Sequence, residues 1–379
     1  MKNNTSPSLV SLFSGAGCFD LGFEAAGFKT LLTTDIDFDC CQTIRLNRDW
    51  NNIHGPIEEI SSKHIMSHAK IRRKELDLLI GGPPCQPYSK SSFGTVKVPL
   101  GHEDHRASTV NEYVRVVRDT LPKVFIIENV PQFISGKNIK MKNYLERSIS
   151  KINRENGTKY KLTYHQLNAA AFGVPQIRER LFIVAARNGK IFQTPEPKFF
   201  AKADAELQMK AYITSRDAIG HLAAKHRNSE SLELNGHWQT LLKSIPPGSN
   251  YLWHSERGGG KKVFKWRSRF WNFLLKLHPD QPSWTIAAQP GHHTGPFHWD
   301  SRRLTTLERQ ILQTIPANYI FYGGKSSINK QIGNGVPSAI GEMLGREIRN
   351  QLLGHNCDTT NLSLAPKAKR RRNELVVNF

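Results

Sequence analysis

Cys85 stands in the run Gly82-Pro83-Pro84-Cys85-Gln86, just after the apolar stretch 76–80 (LDLLI). Two prolines restrict the backbone ahead of the cysteine and present its thiol rigidly from a strand end toward a cleft. A thiolate there, stabilised by positive charge, can attack an electron-poor ring carbon. A small buried cysteine in a proline-rich turn is the ordinary alternative. Glu128-Asn129-Val130 follows a second apolar run, 124–127 (VFII). A half-buried carboxyl there has a raised pKa and can hold a proton or share one with a ring nitrogen; a helix-capping or salt-bridge acid looks the same in sequence. In Gln176-x-Arg178-x-Arg180, strand alternation puts three side chains on one face. Two guanidinium groups so placed can stabilise a thiolate, a phosphate or a developing anion, and a surface charge pair is the alternative.

Phe13-Ser14-Gly15-Ala16-Gly17 turns a strand into a helix, and the next strand ends in Asp35-Ile36-Asp37. A glycine turn alone serves equally well as a plain tight turn. Combined with an acid at the second strand end, where ribose hydroxyls are commonly held, it points to a nucleoside-containing cofactor.

The elements that position these residues alternate short apolar runs with helical stretches. That is the signature of an α/β fold with a mostly parallel, Rossmann-like sheet and helices on both faces. Strands are expected over 8–13, 29–34, 76–80, 124–127, 161–167 and 181–185, and every motif above falls at or beside a strand end, where such sheets bind ligands. Composition shifts near Arg187 to an irregular stretch rich in Pro, Gly, His and aromatics. The expected organisation is a catalytic large domain over 1–187 and a smaller irregular domain over 188–300. The chain then returns to the large domain over 301–353, with helices expected over 301–314 and 333–353, and ends in a basic, flexible tail over 354–379.

Lys and Arg number 53 against 32 Asp and Glu, a formal charge of +21. Such an excess seeks a polyanion or an acidic membrane surface. No apolar run approaches the ~20 residues that span a bilayer, so nucleic acid is the favoured partner and no membrane is expected. The five cysteines, Cys18, Cys40, Cys41, Cys85 and Cys357, show neither CxxC nor Cys/His metal spacing. Free thiols in a reducing cytoplasm and no metal site are the expectation. The stretch 257–269 (RGGGKKVFKWRSR) interleaves basic residues, glycines and aromatics. Arg257, Lys261, Lys262, Lys265 and Arg267 are DNA-contact candidates there, with a solvated basic face as the alternative. The run 367–372 (KAKRRR) is a nuclear signal or, preferred here, a phosphate-binding arm.

Taken in order, these pieces resemble the cytosine-C5 DNA methyltransferases over about 8–353. LFSGAG (12–17) looks like the family's cofactor loop and Asp35 its ribose-binding acid. Pro83-Pro84-Cys85-Gln86 matches the nucleophile motif, Glu128-Asn129-Val130 the target-base motif, and Gln176–Arg180 the paired-arginine motif. The runs 302–316 and 331–337 (QIGNGVP) resemble the last two motifs. The resemblance implies S-adenosylmethionine as methyl donor, leaving S-adenosylhomocysteine, with Phe13, Gly15, Gly17, Asp35, Ile36, Ile57, Pro83 and Asn334 at the cofactor. It implies that Cys85 adds to C6 of a flipped-out cytosine, Glu128 holds N3 and the amino group, and Arg180, helped by Arg178, orients the base. The stretch 89–108 looks like the family's mobile loop, with a disordered surface loop as the alternative, and Gln86, Ser89 and Arg106 match positions that contact DNA or the cofactor site. Three departures stand out. Cys18 replaces a common glycine, Pro56 replaces an acid that contacts the adenine amino group, and Ile36 sits where a larger residue often stacks on adenine.

The expected activity is therefore that of a DNA (cytosine-5-)-methyltransferase acting on a specific duplex sequence, as a monomer on the nucleoid in a bacterial cytoplasm. It is expected to serve as the modification enzyme of a restriction-modification system whose endonuclease reads the same site without a stable complex. A tRNA cytosine-C5 methyltransferase is the first alternative, disfavoured by the more than one hundred residues between Arg187 and Arg302. A catalytically silent DNA-binding regulator is the second, disfavoured because Cys85, Glu128 and the glycine loop are all present.

Overall fold

The computed structural model describes residues 6–84, 105–136, 139–202, 210–226, 230–266 and 270–367. Seven strands, β1 (Ser8–Leu12), β2 (Lys29–Asp35), β3 (Asn51–His54), β4 (Leu78–Gly81), β5 (Val124–Asn129), β6 (Thr163–Asn168) and β7 (Glu179–Ala186), form one sheet in the order β3-β2-β1-β4-β5-β7-β6. Pairings from β3 to β5 are parallel. β7, one place in from the edge strand β6, runs antiparallel to both β5 and β6, so the sheet is mostly parallel, as expected, with one reversed strand. β3 escapes the sequence reading because an edge strand covered on one side needs no apolar run; Asn51-Asn52-Ile53-His54 supplies only one aliphatic residue.

Strand alternation divides the core into two layers. Val10, Leu12, Leu79, Phe125 and Ile127 face one cluster with Ile65 of α3 (Ser62–His68), Tyr113 and Val117 of α4 (His105–Thr120), and Leu145, Ile149 and Ile152 of α5 (Ile139–Asn156). Leu9, Leu78, Ile80 and Ile126 face the other, with Phe19 and Phe23 of α1 (Cys18–Ala25) and Ile340, Met343, Leu344 and Ile348 of α10 (Ser338–Gln351). Apolar side chains on both strand faces are what a sheet sandwiched between helices requires. α1 and α10 approach so closely that a Cβ on Gly22 would lie 2.1 Å from the Ser338 carbonyl oxygen.

The expected helix over 301–314 shortens to α8 (Thr306–Leu312), opened by a reciprocal cap between Thr305 and Glu308. Arg302 stays outside it and pairs with Glu308 through two bonds, Nη1 to Oε2 at 2.9 Å and Nη2 to Oε1 at 2.6 Å. The expected helix over 333–353 is two helices, α9 (Lys325–Asn334) and α10, broken at Gly335-Val336-Pro337. Proline disfavours helical backbone in the residue before it, which explains the break.

Between β7 and α8 the chain builds its own cluster from Leu234, Leu241, Leu242, Ile245, Tyr251, Leu252, Leu274 and Phe297. A further cluster joins that region to the first loop: Ala16, Cys18 and Leu21 pack with Ile219, Leu277, Ile286, Leu312, Ile315, Tyr319 and Ile332. Residues after Gly354, expected as part of a flexible tail, are docked as far as Ala365. Glu342, fully buried on α10, accepts from Ser363 N (2.8 Å), Ser363 Oγ (2.9 Å) and Leu364 N (2.9 Å), and Leu362, Leu364 and Ala365 join the second core layer. Beyond Lys367 the basic run lies outside the described residues.

Candidate active site

β1 is followed by a left-handed residue, Phe13 (φ 55°), then by Gly15 (φ 54°) and Gly17 (φ 72°), and α1 begins at Cys18. Positive φ comes readily to glycine and costs a bulky residue energy, so Phe13 marks a backbone held in place by its surroundings. Asp35, at the end of β2, does part of that holding: Oδ2 accepts from Gly15 N at 2.7 Å and Oδ1 from Asp37 N at 2.8 Å. Burial pushes its carboxyl above the usual range, while those two amides and Lys330 pull it back. The loop is tied from behind by Tyr319 Oη to Ala16 O (2.7 Å) and Ser338 Oγ to Cys18 O (2.7 Å). Among the described residues a Cβ on Gly15 would meet nothing within 4 Å. Ile36 is 68% exposed and Ile57 is buried. Asn334, the last residue of α9, is exposed.

One strand over, β4 runs into Gly82-Pro83-Pro84. Asn129 Nδ2 donates to Pro83 O at 3.0 Å, fixing the turn to the end of β5. Glu128 stands beside it, with Oε2 2.9 Å from where a Cβ on Gly82 would be. Arg180, from the first residues of β7, places Nε 3.0 Å from Glu128 Oε1, with side chains 19% and 16% exposed. Antiparallel pairing of β5 with β7 sets this partnership. Burial raises the Glu128 pKa above its ordinary value, and the Arg180 and Arg178 guanidiniums act against that rise. The same burial lowers Arg180. Cys85, Gln86, Ser89 and Arg267, with the side chain of Arg106, lie outside the described residues.

The pattern known as C-5 cytosine-specific DNA methylase matches residues 8–350. The chain belongs to that family. It is 35% identical to the Type II methyltransferase M.SacI of Streptomyces achromogenes, covering 97% of this chain and 98% of the relative. Over 56% of this chain and 88% of the relative it is 44% identical to the Type II methyltransferase M.AquIA of a Picosynechococcus strain. Its fold is like that of a prophage-encoded DNA modification methyltransferase of E. coli, with a TM-score of 0.67 at 20% identity, covering 92% of this chain and 100% of that one. The activity is DNA cytosine-C5 methylation, and the family depends on S-adenosylmethionine.

In this methylase Arg178 departs from the expected grouping. It shares the face of Arg180 but is 2% exposed, and its Nη2 donates to Gly333 O (2.9 Å) and Gly335 O (3.0 Å). Gln176 is likewise buried and occupied by protein partners. In the basic stretch, Arg257 stacks on Trp266 at 4.4 Å and Lys261, Lys262 and Lys265 are exposed. The three glycines 258–260 are pressed onto Trp253: a Cβ on Gly258 would lie 2.1 Å from Trp253 O. His254 Nδ1 lies 3.0 Å from Lys261 O, so the stretch is anchored at both the glycines and the lysines. Sequence reasoning missed the neighbouring surface, where Trp238 stacks on His293 (4.8 Å) and Phe270 and Trp271 are about half exposed. It also missed Tyr319 and Gln313, whose partners lie in distant motifs and leave no local pattern. Among the described residues no cluster of His, Cys, Asp and Glu could hold a metal, and no helix is long and apolar enough to cross a membrane.

Proposed function

We propose that this DNA cytosine-C5 methyltransferase works through a covalent adduct between Cys85 and the target base, with Glu128 and Arg180 as its other catalytic residues. The observation that carries the reading is the half-buried Glu128–Arg180 pair at the end of β5, against the Gly82-Pro83-Pro84 turn that leads into Cys85. Cytosine C5 is a poor nucleophile until the ring is activated. The Cys85 thiolate forms a bond to C6, and the displaced C5–C6 electron pair moves through the ring as N3 takes a proton from Glu128. Burial keeps that proton on the carboxyl to higher pH than usual. Arg180 holds the carboxyl in place and offers its remaining donors to the base. After C5 is methylated its hydrogen leaves as a proton, the C5–C6 double bond re-forms, the thiolate is expelled and N3 returns its proton to Glu128. A base inside a duplex is out of reach of this site, so the target is extruded.

The loop after β1 fits S-adenosylmethionine. Among the described residues nothing crowds Gly15, and each Asp35 oxygen, accepting one amide, keeps a lone pair for a ribose hydroxyl. Phe13, Gly15, Gly17, Asp35, Ile36, Ile57, Pro83 and Asn334 would hold it. Bound there, it offers a sulfonium methyl to a nucleophilic carbon.

The region 188–300 is read as the target-recognition domain, with Arg257, Lys261, Lys262 and Lys265 on the duplex. The Type II relatives support a role as the modification enzyme of a restriction-modification system in a bacterial cytoplasm. Its endonuclease would meet only the DNA. The test is Cys85→Ser against duplexes carrying 5-fluorocytosine. The wild type should be trapped covalently and the variant should neither methylate nor be trapped; methylation by the variant would sink the mechanism. Bisulfite sequencing of DNA from expressing cells gives the target site, and a paired endonuclease should fail to cut that DNA.

A further inference from the structure

Gln176, Arg178 and Gln313 are 0%, 2% and 0% exposed, and hydrogen bonds run continuously through them. Ile286 N donates to Gln176 Oε1 at 3.1 Å. Gln176 Nε2 donates to Gln313 Oε1 at 3.1 Å and to Leu312 O at 3.2 Å. Gln313 Nε2 donates to Ile332 O at 2.7 Å and to Gly335 O at 3.3 Å. Arg178 Nη2 closes the chain on Gly333 O and Gly335 O, the carbonyls on either side of Asn334.

The segment so gripped sits between two surfaces. On one side, a Cβ on Gly333 would lie 2.4 Å from the Ala288 backbone, two residues after Ile286. On the other, a Cβ on Gly335 would lie 2.9 Å from Cys18 Sγ, at the start of α1, and Ser338 Oγ donates to Cys18 O. The turn 332–335 is therefore a spacer between the 283–288 segment and the back of the glycine loop.

We propose that Gln176, Arg178 and Gln313 are positioning residues that set this turn, and with it Asn334 and the glycine loop, relative to the segment 283–288. Arg178 then acts on the cofactor side of the site through Gly333 and Gly335, while Arg180 alone of the pair reaches Glu128 and the base. Burial lowers the Arg178 pKa, as expected for a cation surrounded by backbone carbonyls rather than carboxylates.

The inference rests on the methyltransfer reading above, and its test separates the two. Arg178→Gln and the volume-neutral Gln313→Met are compared with wild type in two assays. Calorimetric titration with S-adenosylhomocysteine reads the cofactor seat. Exchange of the target C5 hydrogen with solvent, on bound DNA without cofactor, reads capture of the base by Cys85, Glu128 and Arg180. Both variants should weaken S-adenosylhomocysteine binding about tenfold or more, the scale of one lost buried hydrogen bond, with exchange held within about threefold. Arg178→Lys, which keeps a donor for one carbonyl, should recover part of the affinity.

Unchanged affinity with exchange lost would make Arg178 a base-contacting residue and overturn the inference, as would unchanged values in both assays. Equal losses in both assays, in variants that melt at the wild-type temperature, overturn it too. If Arg178→Gln does not fold, Gln313→Met, which keeps the buried Arg178 cation on its Gly333 and Gly335 carbonyls, decides by the same criteria. A wild-type protein that neither exchanges nor methylates would instead refute the mechanism itself.

Discussion

Asp20 offers the sharpest quantitative test of the folded state. It lies in the first turn of α1 with no exposed surface, and among the described residues no donor meets hydrogen-bonding geometry at either carboxylate oxygen. Burial pushes its pKa from 3.8 to about 7, while Ser11 and the helix backbone pull it down only part of the way. That rise corresponds to roughly 4 kcal/mol at about 1.4 kcal/mol per tenfold change in proton concentration. Because the folded pKa is the higher one, the folded protein binds more protons between these values. Stability from this group is complete below pH 4 and is lost as the pH rises to about 7. Asp20→Asn removes the ionisation and should make the protein more stable than wild type at pH 8, by up to that roughly 4 kcal/mol, with little difference at pH 4. His165 acts in the opposite sense: burial lowers its pKa from 6.5 to about 4, so its contribution grows with pH across that window. Subtracting the variant's profile from that of wild type cancels His165 and isolates Asp20. Urea denaturation at half-unit steps from pH 4 to 8 supplies both profiles. Parallel profiles would refute the assignment of a carboxyl buried at the start of α1 with its pKa raised by that burial.

Glu128→Gln keeps a hydrogen bond for Arg180 but removes the transferable proton; single-turnover methylation should slow by about 10²–10⁴-fold, and an undiminished rate would exclude Glu128 as the proton source. Glu342→Ala should cost about 3–5 kcal/mol in urea unfolding, because it removes the carboxylate partner of Arg346 Nη2 and leaves the amides of Ser363 and Leu364 unpaired; a neutral effect would mean that the 358–364 segment is not docked. Replacing Lys261, Lys262 and Lys265 together by Ala should reduce the slope of log affinity against log salt by about 2 to 3, at about 0.9 per lost phosphate contact. A slope equal to wild type would place these lysines away from the duplex.

How much of this enzyme is readable from its sequence depends on how far apart the partners are. The turns after β1, β4 and β5 are legible because each follows a short apolar run, and strands buried on both faces have no other local explanation. Glycines and prolines then mark where the chain must turn, which places Asp35, Pro83 and Glu128 at strand ends without any knowledge of the fold. The polar edge strand Asn51–His54 leaves no such signal, nor does the reversal of Glu179–Ala186, since direction in a sheet is set by connections and not by the strand's own residues. Identical reasoning treated Arg178 and Arg180 alike, because alternation places both on one face. Only tertiary structure separates them: Arg180 meets Glu128 across an antiparallel pair, whereas Arg178 meets carbonyls 155 and 157 residues further along the chain. Local sequence sets conformation and polarity, but the partner of a buried cation is decided by which distant backbone the packing of α9 and α10 delivers to it.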